Sequence, residues 1–171
     1  MSLSMYQASV PVFVQYLTGL DAMLDKAAAF CAAKKIDETV FTGLRIAPDM
    51  FALARQVQLA SDFAKGPTAR LAGLEVPAWD DTEKTIPELK ARIKKTLDYI
   101  HGFKASQIDG SENRDIQLKV RGNPVTFKGQ TYLLNFAMGH FNFHVVTAYN
   151  IMRHAGVEIG KGDFIGKPPG M

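Results

Sequence analysis

The chain has 171 residues, of which 47% are hydrophobic and 22% are charged. This composition is typical of a globular domain and excludes low-complexity disorder, collagen-like repeats and disulfide scaffolds, so we predict a single domain over residues 1–171. Twenty basic residues against 17 acidic residues give a net charge of +3. An excess of this size without a groove-reading motif does not indicate nucleic-acid binding.

One cysteine and two uncharged stretches bear on the compartment. Cys31 has no second cysteine to pair with, and its thiol is either a reactive group or a small apolar side chain on a helix face. Residues 1–20 lack the basic start of a signal peptide. Residues 129–152 carry six Asn, Gln and His side chains, which are costly in lipid, so they predict a helix buried in protein. The sequence therefore predicts a cytoplasmic protein with no membrane partner.

Two long helices are predicted in the first half of the chain. Apolar residues recur every three or four positions over residues 6–33, which is the spacing of one helical face. Residues 34–47 are expected to connect this helix to the next. Pro48 is a typical first residue of a helix, and a second helix is predicted over 48–65. Gly66-Pro67 is expected to kink or interrupt it, with residues 68–72 as a possible continuation and Gly73 as the stop.

The third helix follows a loop that contains Trp79. Thr82 is a candidate N-cap for this helix. Its basic residues, Arg92 among them, are expected on the solvent face, with a basic patch as the alternative. Apolar and polar residues then alternate over 115–128 and predict a short β-hairpin with a turn at Gly122-Asn123.

A fourth helix is predicted over residues 130–154, with Gly156 at the C-cap position. The tail, about residues 157–171, is rich in glycine and proline and is expected to be extended. Four long helices with a hairpin before the last of them predict an all-α fold, a four-helix bundle with a short β-hairpin insertion.

The candidate site lies on the fourth helix. His140 and His144 are four residues apart, so they share a helical face, and the apolar residues on the same face indicate that it points inward. Two imidazoles held side by side form half of a site for a divalent metal such as zinc. The spacing also arises by chance, and two buried, hydrogen-bonded histidines are the alternative interpretation.

A third metal ligand has to come from another helix, and the second helix offers Asp62 and Gln56. A carboxylate binds zinc, manganese or nickel well, whereas an amide binds them poorly, so Asp62 is the better ligand chemically. Asp62 can instead pair with Arg55 or Lys65 on the surface. The residues alone leave these alternatives open.

Three longer runs carry a resemblance to a known family. They are MYQASVPVF from Met5, RIAPDMFALARQVQ from Arg45 and AMGHFNFH from Ala137. Together with a histidine pair early in the last long helix, they resemble the DinB/YfiT-like superfamily and, within it, an uncharacterised bacterial family of unknown function. The resemblance extends over nearly the whole chain.

The resemblance implies a DinB-like helix bundle, often dimeric, in which three histidines bind a divalent cation such as nickel or zinc. Two of them map to His140 and His144. The third usually lies in the middle of the second helix and maps to Gln56, which is where this chain departs from the family pattern. Either Asp62 substitutes for it, or the site is weakened, or the metal is lost.

Two functions follow from these observations. The resemblance implies a metal-dependent enzyme, of the hydrolase or thiol-dependent transferase type, that acts on a small-molecule substrate at His140 and His144. The alternative is a non-catalytic helical bundle that binds a small apolar ligand or a partner protein and has a degenerate metal site. A homodimer is expected, because the fourth helix lacks a charged face and is more apolar than one bundle needs to cover.

Overall fold

A computed structural model describes residues 3–168. The first part contains α1 (Val10–Lys34), the short α2 (Glu38–Thr42), α3 (Leu53–Leu71), α4 (Ile86–His101) and the short α5 (Ala105–Ile108). The second part contains β1 (Asp115–Val120), β2 (Asn123–Lys128), α6 (Gly129–Thr131), a π-helical segment (Tyr132–Ala137), α7 (Met138–His154) and α8 (Lys161–Ile165). Within these residues the chain is mostly helical and has one antiparallel hairpin before its last long helix, as predicted.

The long helices share a hydrophobic core. Both α1 and α3 pack against α4 and α7. The regularly spaced apolar residues that predict α1 are the buried ones, among them Phe13 and Leu17. Phe13 meets Phe141 of α7 edge-on, with ring centroids 4.9 Å apart. Cys31 lies in the same core, where burial raises the pKa of its thiol, so its position supports the apolar interpretation.

The structure corrects the predicted bounds of the second helix. This helix, α3, begins at Leu53 rather than at Pro48 and runs through Gly66-Pro67 to Leu71 without a break. Gly66 and Pro67 are both buried. Tertiary packing therefore outweighs the local preference of glycine and proline against a helix interior. The helix tolerates the loss of the one backbone hydrogen bond that a proline cannot donate. The predicted interruption is wrong, whereas the continuation predicted over residues 68–72 is present as far as Leu71.

The start of α4 also differs from the prediction. The helix begins at Ile86, and Thr82 lies before it. Glu88 accepts hydrogen bonds from the backbone N–H groups of Thr85 at 2.9 Å and Lys84 at 2.7 Å. These donors precede the first turn, so Glu88 fixes the entry of the chain into the helix in the manner of a capping box.

Arg92 is buried where the loop between α3 and α4 folds back onto both helices. Its side chain is 1% exposed, and its guanidinium contacts the carboxylates of Asp62 at 3.0 Å, Asp81 at 3.0 Å and Glu83 at 3.2 Å. The guanidinium also lies over the ring of Trp79, 5.4 Å from its centre. We call these five residues the Arg92 cluster. The expectation that Arg92 lies on the solvent face is wrong.

The hairpin has its predicted bounds of 115–128. Asp115 pairs with Lys128, and Val120 pairs with Asn123, which leaves Arg121-Gly122 as the two-residue turn. Both turn residues have positive φ angles, 51° and 83°, as a type I′ turn requires. The turn therefore lies one residue earlier than the predicted Gly122-Asn123 pair.

The predicted extended tail, about residues 157–171, needs a correction. Part of it forms α8, which packs against α1. Lys26 of α1 pairs with Asp163 at 2.7 Å, and the Gln15 amide donates to the Ile165 carbonyl at 2.8 Å. These contacts supply the partners that make an ordered turn favourable. The last three residues of the tail lie outside the described range.

The uncharged stretch 129–152 forms α6, the π-helical segment and most of α7. One side of it belongs to the core, whereas Leu134, Phe143 and Val146 on the other side are 48%, 56% and 38% exposed. Among the helices of residues 3–168, none combines the length and the apolar character needed to cross a membrane. Residues 129–152 thus lack charged side chains because one side of the stretch lies in the core and the other side is an exposed apolar surface.

Candidate functional site

A row of aromatic rings leads from the hairpin to the histidine pair. Tyr132, Phe136, His140 and His144 are four residues apart, and the centroids of successive rings are separated by 5.9, 4.5 and 6.5 Å. In an α-helix, a spacing of four drifts around the axis because one turn takes about 3.6 residues. The wider turn of the π-helical segment reduces this drift. We call these four side chains the aromatic row.

His144 is buried and held by Gln56 of α3. The Nδ1 atom of His144 lies 2.8 Å from the Gln56 Oε1 atom, and the Gln56 Nε2 atom donates to the Phe51 carbonyl at 3.1 Å. Because the amide nitrogen is committed to Phe51, the amide oxygen faces His144 as an acceptor. The neutral imidazole therefore carries its proton on Nδ1, and Nε2 keeps a free lone pair.

His140 lies at the more exposed end of the pair. Its ring is stacked on Phe63 of α3, with centroids 4.5 Å apart and an angle of 3° between the planes. The same Phe63 ring lies 5.7 Å from the centre of the His144 ring. One phenylalanine thus fixes the position of both imidazoles against α3.

Both histidines are biased toward the neutral form. Burial lowers the pKa of His140 below its ordinary value. Burial lowers the pKa of His144 to about 4, and the neighbouring positive charges of His140 and Arg55 act in the same direction. At neutral pH the site therefore presents two uncharged imidazoles.

We expect the protein to lose stability as the pH falls from about 6.5 to about 4. In this window the unfolded chain protonates His144 at its ordinary pKa of 6.5, whereas the folded chain keeps the ring neutral. The contribution of His144 to stability is therefore fully present above its unfolded-state pKa of 6.5 and is lost as the pH falls toward its folded-state pKa of about 4. Allowing for solvent screening at the open edge of the site, the loss is about 2 kcal/mol.

Urea unfolding of the wild type and of His144→Phe at pH 7 and near pH 4 measures this contribution. The variant lacks the titrating ring, so its stability should fall less over the same pH range. The two proteins share all other titratable groups. An identical pH dependence in both would contradict the assignment to His144.

The two histidines line a cavity of about 650 Å³ between α3 and the last long helix. Its wall is mostly aromatic and has few polar groups. We call it the histidine pocket, and it is lined by Phe51, Leu59, Phe63, Asn135, Phe136, Gly139, His140, Phe143 and His144. No acidic side chain of the described residues is among them. The pocket thus has an apolar wall with three polar side chains.

The two candidate third ligands lie in different places. Gln56 is brought to His144, as its position on α3 predicts, but its oxygen is engaged by the Nδ1–H group. Asp62 does not line the histidine pocket. Its Oδ1 atom contacts Lys65 at 2.9 Å and Arg92 at 3.0 Å, because the side chain points toward the loop between α3 and α4. Asp62 as third ligand is therefore corrected in favour of its alternative, an ion pair with Lys65.

A three-ligand metal centre does not fit this donor set. Two atoms on one zinc ion, each about 2.0–2.1 Å from it, lie more than 3 Å apart and have no proton between them. The Gln56–His144 contact is shorter and is a hydrogen bond. Across residues 3–168, no three His, Cys, Asp or Glu side chains come close enough to hold an ion together. Of the three histidines that the resemblance implies, the chain has two, His140 and His144.

Sequence reasoning missed the aromatic wall of the pocket. Phe63 lies seven residues after Gln56, so both share a face of α3. This spacing could have predicted that Phe63 lies beside the histidines. Phe143 is 56% exposed and Phe51 is 57% exposed. Phe51 precedes α3 and lies in a segment that was predicted to be helical, so its place in the wall could not be inferred.

Comparisons with known proteins agree with this fold. The family model of a domain of unknown function, DUF1993, matches residues 5–165. The crystal structure of a DinB family member protein from Shewanella denitrificans is 40% identical, with a TM-score of 0.85, and the match covers 96% of this chain and 93% of that chain. No curated protein matches the chain. The chain therefore belongs to the DUF1993 family and is DinB-like.

Proposed function

We propose that this DinB-like protein binds a small, largely apolar molecule in the histidine pocket. The observation that carries the proposal is the combination of an aromatic wall with two neutral imidazoles. The pocket is a groove of about 650 Å³ that is open to solvent beside the exposed Phe51 and Phe143, and ligand sites typically use an apolar surface with a few polar groups that orient the ligand.

The hydrogen bonds of the pocket favour a ligand of a particular kind. Since Gln56 takes the Nδ1–H group of His144, the remaining Nε2 atom acts as an acceptor. A ligand that reaches it has to donate, as a hydroxyl or an N–H group does. Arg55 lowers the pKa of His144, so the surroundings disfavour a positive charge. The favoured ligand is a neutral, planar molecule with a hydrogen-bond donor.

Titration with phenol or indole tests the proposal. Both are neutral aromatic donors, and binding is followed by the ring-proton resonances of His140 and His144. An added Cβ on Gly139 meets no heavy atom within 4 Å, so Gly139→Met extends a side chain into the pocket without a clash. We expect Gly139→Met to weaken binding more than about tenfold and to keep the thermal stability.

Asn142→Met is the matched control, because Asn142 is exposed on the same helix and does not line the pocket. It adds the same side chain and should leave binding unchanged. Phenol binding of wild-type strength in Gly139→Met, or no saturable binding by the wild type, would overturn the proposal.

The metal-dependent hydrolase or transferase is the second candidate function. It is favoured by the free Nε2 lone pair of His144, since metal-binding histidines usually donate their other ring N–H to an oxygen, as His144 does to Gln56. Zinc and nickel titration of tag-free protein separates the candidates. Near-stoichiometric binding that disappears in His140→Ala would favour the enzyme, and no binding would favour the apolar ligand alone.

We also propose that the long helices form a DinB-type four-helix bundle and that two copies associate through the last one. Leu134 and Val146 are exposed apolar side chains of the uncharged stretch 129–152 that lie outside the histidine pocket. Sedimentation should give twice the chain mass of 18.8 kDa, and Val146→Glu should shift the protein toward the monomer. A wild type that sediments as a monomer at all micromolar concentrations would remove the dimer.

A further inference from the structure

A second cavity, of about 520 Å³, lies between α3, the loop that contains Trp79, β1 and the π-helical segment. It shares Leu59, Phe63 and Phe136 with the histidine pocket, so the two cavities are neighbours. We call it the arginine pocket, and the residues that matter here are Asp62, Lys65, Arg70, Trp79, Lys119 and Tyr132.

The charges around the arginine pocket do not balance. Lys65, Arg70 and Lys119 face one carboxylate, Asp62. That carboxylate already serves Lys65 at 2.9 Å and Arg92 at 3.0 Å. Arg70 has no carboxylate within ion-pair distance among the described residues, and its guanidinium donates a hydrogen bond to the phenol oxygen of Tyr132 at 3.0 Å. The pocket therefore carries an excess of positive charge.

The guanidinium of Arg70 lies against the backbone of α3 at Gly66, where no side chain occupies the space. A Cβ atom on Gly66, one helical turn earlier, would lie 2.7 Å from the Arg70 Nη1 atom. Glycine at position 66 thus leaves room for the guanidinium to fold back along α3 to Tyr132, and a larger residue there would make it shift from its present place. Arg70 is half-buried there, so this arginine is placed in the cavity wall and does not extend freely into solvent.

We propose that the arginine pocket binds a small organic oxyanion, a carboxylate or a phosphate monoester, through the guanidinium of Arg70. The planar N–H groups of an arginine match such an anion with two parallel hydrogen bonds, which a single ammonium cannot provide. Lys65 and Lys119 add positive charge, and Trp79 and Phe136 offer apolar surface to the body of the ligand. This inference goes beyond the proposed function and does not depend on it.

Trp79 gives the experiment its signal, because it is the one tryptophan of the chain and lies in the wall of the arginine pocket. The probes are phenyl phosphate, benzoate, inorganic phosphate and the neutral benzyl alcohol, with calorimetry as a second readout. We expect phenyl phosphate or benzoate to bind saturably and more than about tenfold more tightly than benzyl alcohol. The tighter of the two identifies the anion as phosphate or carboxylate.

Two variants test Arg70 by different routes. Arg70→Gln removes the guanidinium, and Gly66→Ala keeps it but displaces it from its present position beside Tyr132; alanine also suits a helix interior, so this variant should fold. Each should weaken anion binding more than about tenfold. Lys94→Gln is the control: it removes the same unit of charge from a side chain that is 75% exposed and lies outside the pocket, and binding should be unchanged.

Several results would overturn the inference. The wild type would bind no anion saturably, or it would bind benzyl alcohol as tightly as the anions. The third such result is wild-type affinity for the anion in both Gly66→Ala and Arg70→Gln. Tighter binding of inorganic phosphate than of phenyl phosphate would overturn the organic part of the assignment. Gly139→Met, which fills the histidine pocket, should leave anion binding intact, so failure of the proposed function is distinguishable from failure here.

Discussion

Replacing Gln56 with histidine is expected to raise the affinity of the protein for zinc or nickel by more than about a hundredfold. Position 56 faces the pair, since the present side chain reaches His144 with a 2.8 Å hydrogen bond. With the amide gone, His144 can carry its proton on Nε2 and present the Nδ1 lone pair toward position 56, where an imidazole supplies the third nitrogen that zinc sites of this kind use. Loss of an outer partner of a metal ligand alone changes affinity by about 10- to 100-fold, so gain of a direct ligand should exceed that range.

Calorimetric titration of tag-free wild type and Gln56→His measures the gain. Gln58→His is the matched control, because Gln58 is also buried on α3 but its amide donates to Glu83 at 3.0 Å, away from the histidines. It adds the same imidazole to the same helix and should not bind the ion more tightly than the wild type. Equal affinities for Gln56→His and Gln58→His would contradict the assigned geometry.

Replacing Arg92 with methionine is expected to lower the free energy of unfolding by about 3 kcal/mol. The guanidinium is 1% exposed and is the one cation of residues 3–168 that contacts Asp62, Asp81 and Glu83 together, so its removal leaves Glu83 without an ion pair while Asp62 keeps Lys65 and Asp81 keeps Arg55. Removing one partner of a buried ionic cluster typically costs about 3–5 kcal/mol. The low end applies because Asp62 and Asp81 are about one third exposed.

Urea unfolding followed by Trp79 fluorescence measures this loss, since Trp79 belongs to the Arg92 cluster. Lys94→Met, two residues further along α4, is the control. Lys94 is 75% exposed and pairs with Asp98 on the surface, and its replacement should change stability by less than about 0.5 kcal/mol. Equal losses in the two variants would show that the Arg92 cluster does not hold the loop.

Helices and strands that are marked by a single regular pattern of apolar residues could be predicted from the sequence. The three-to-four spacing gives α1, the alternation at 115–128 gives the hairpin with its bounds, and the uncharged run gives the last long helix. The errors lie where distant residues decide. Pro67 stays within α3 because its surroundings are buried, and Arg92 is buried because its carboxylate partners lie in a loop whose path the sequence does not indicate.

The candidate site was predictable to a similar degree. A spacing of four on one helix, together with the position of Gln56 on α3, indicates that the histidines and the amide meet, and Gln56 does contact His144. The direction of Asp62 could not be inferred. It lies six residues after Gln56, on a different side of α3, where Lys65 and Arg92 compete for it. Side chains that have partners on several elements are the ones that local patterns predict least well.

The π-helical segment of residues 132–137 also separates the histidine pair from the part of the arginine pocket that Tyr132 and the hairpin form. A π turn holds about one residue more than the α turn it replaces. Loss of one residue there would restore α-helical geometry and rotate everything before it by about 100° relative to α7. His140 and His144 would keep their places against α3, whereas Tyr132 and the hairpin would turn away from Arg70. A single deletion can therefore remodel the arginine pocket and leave the histidine pair intact.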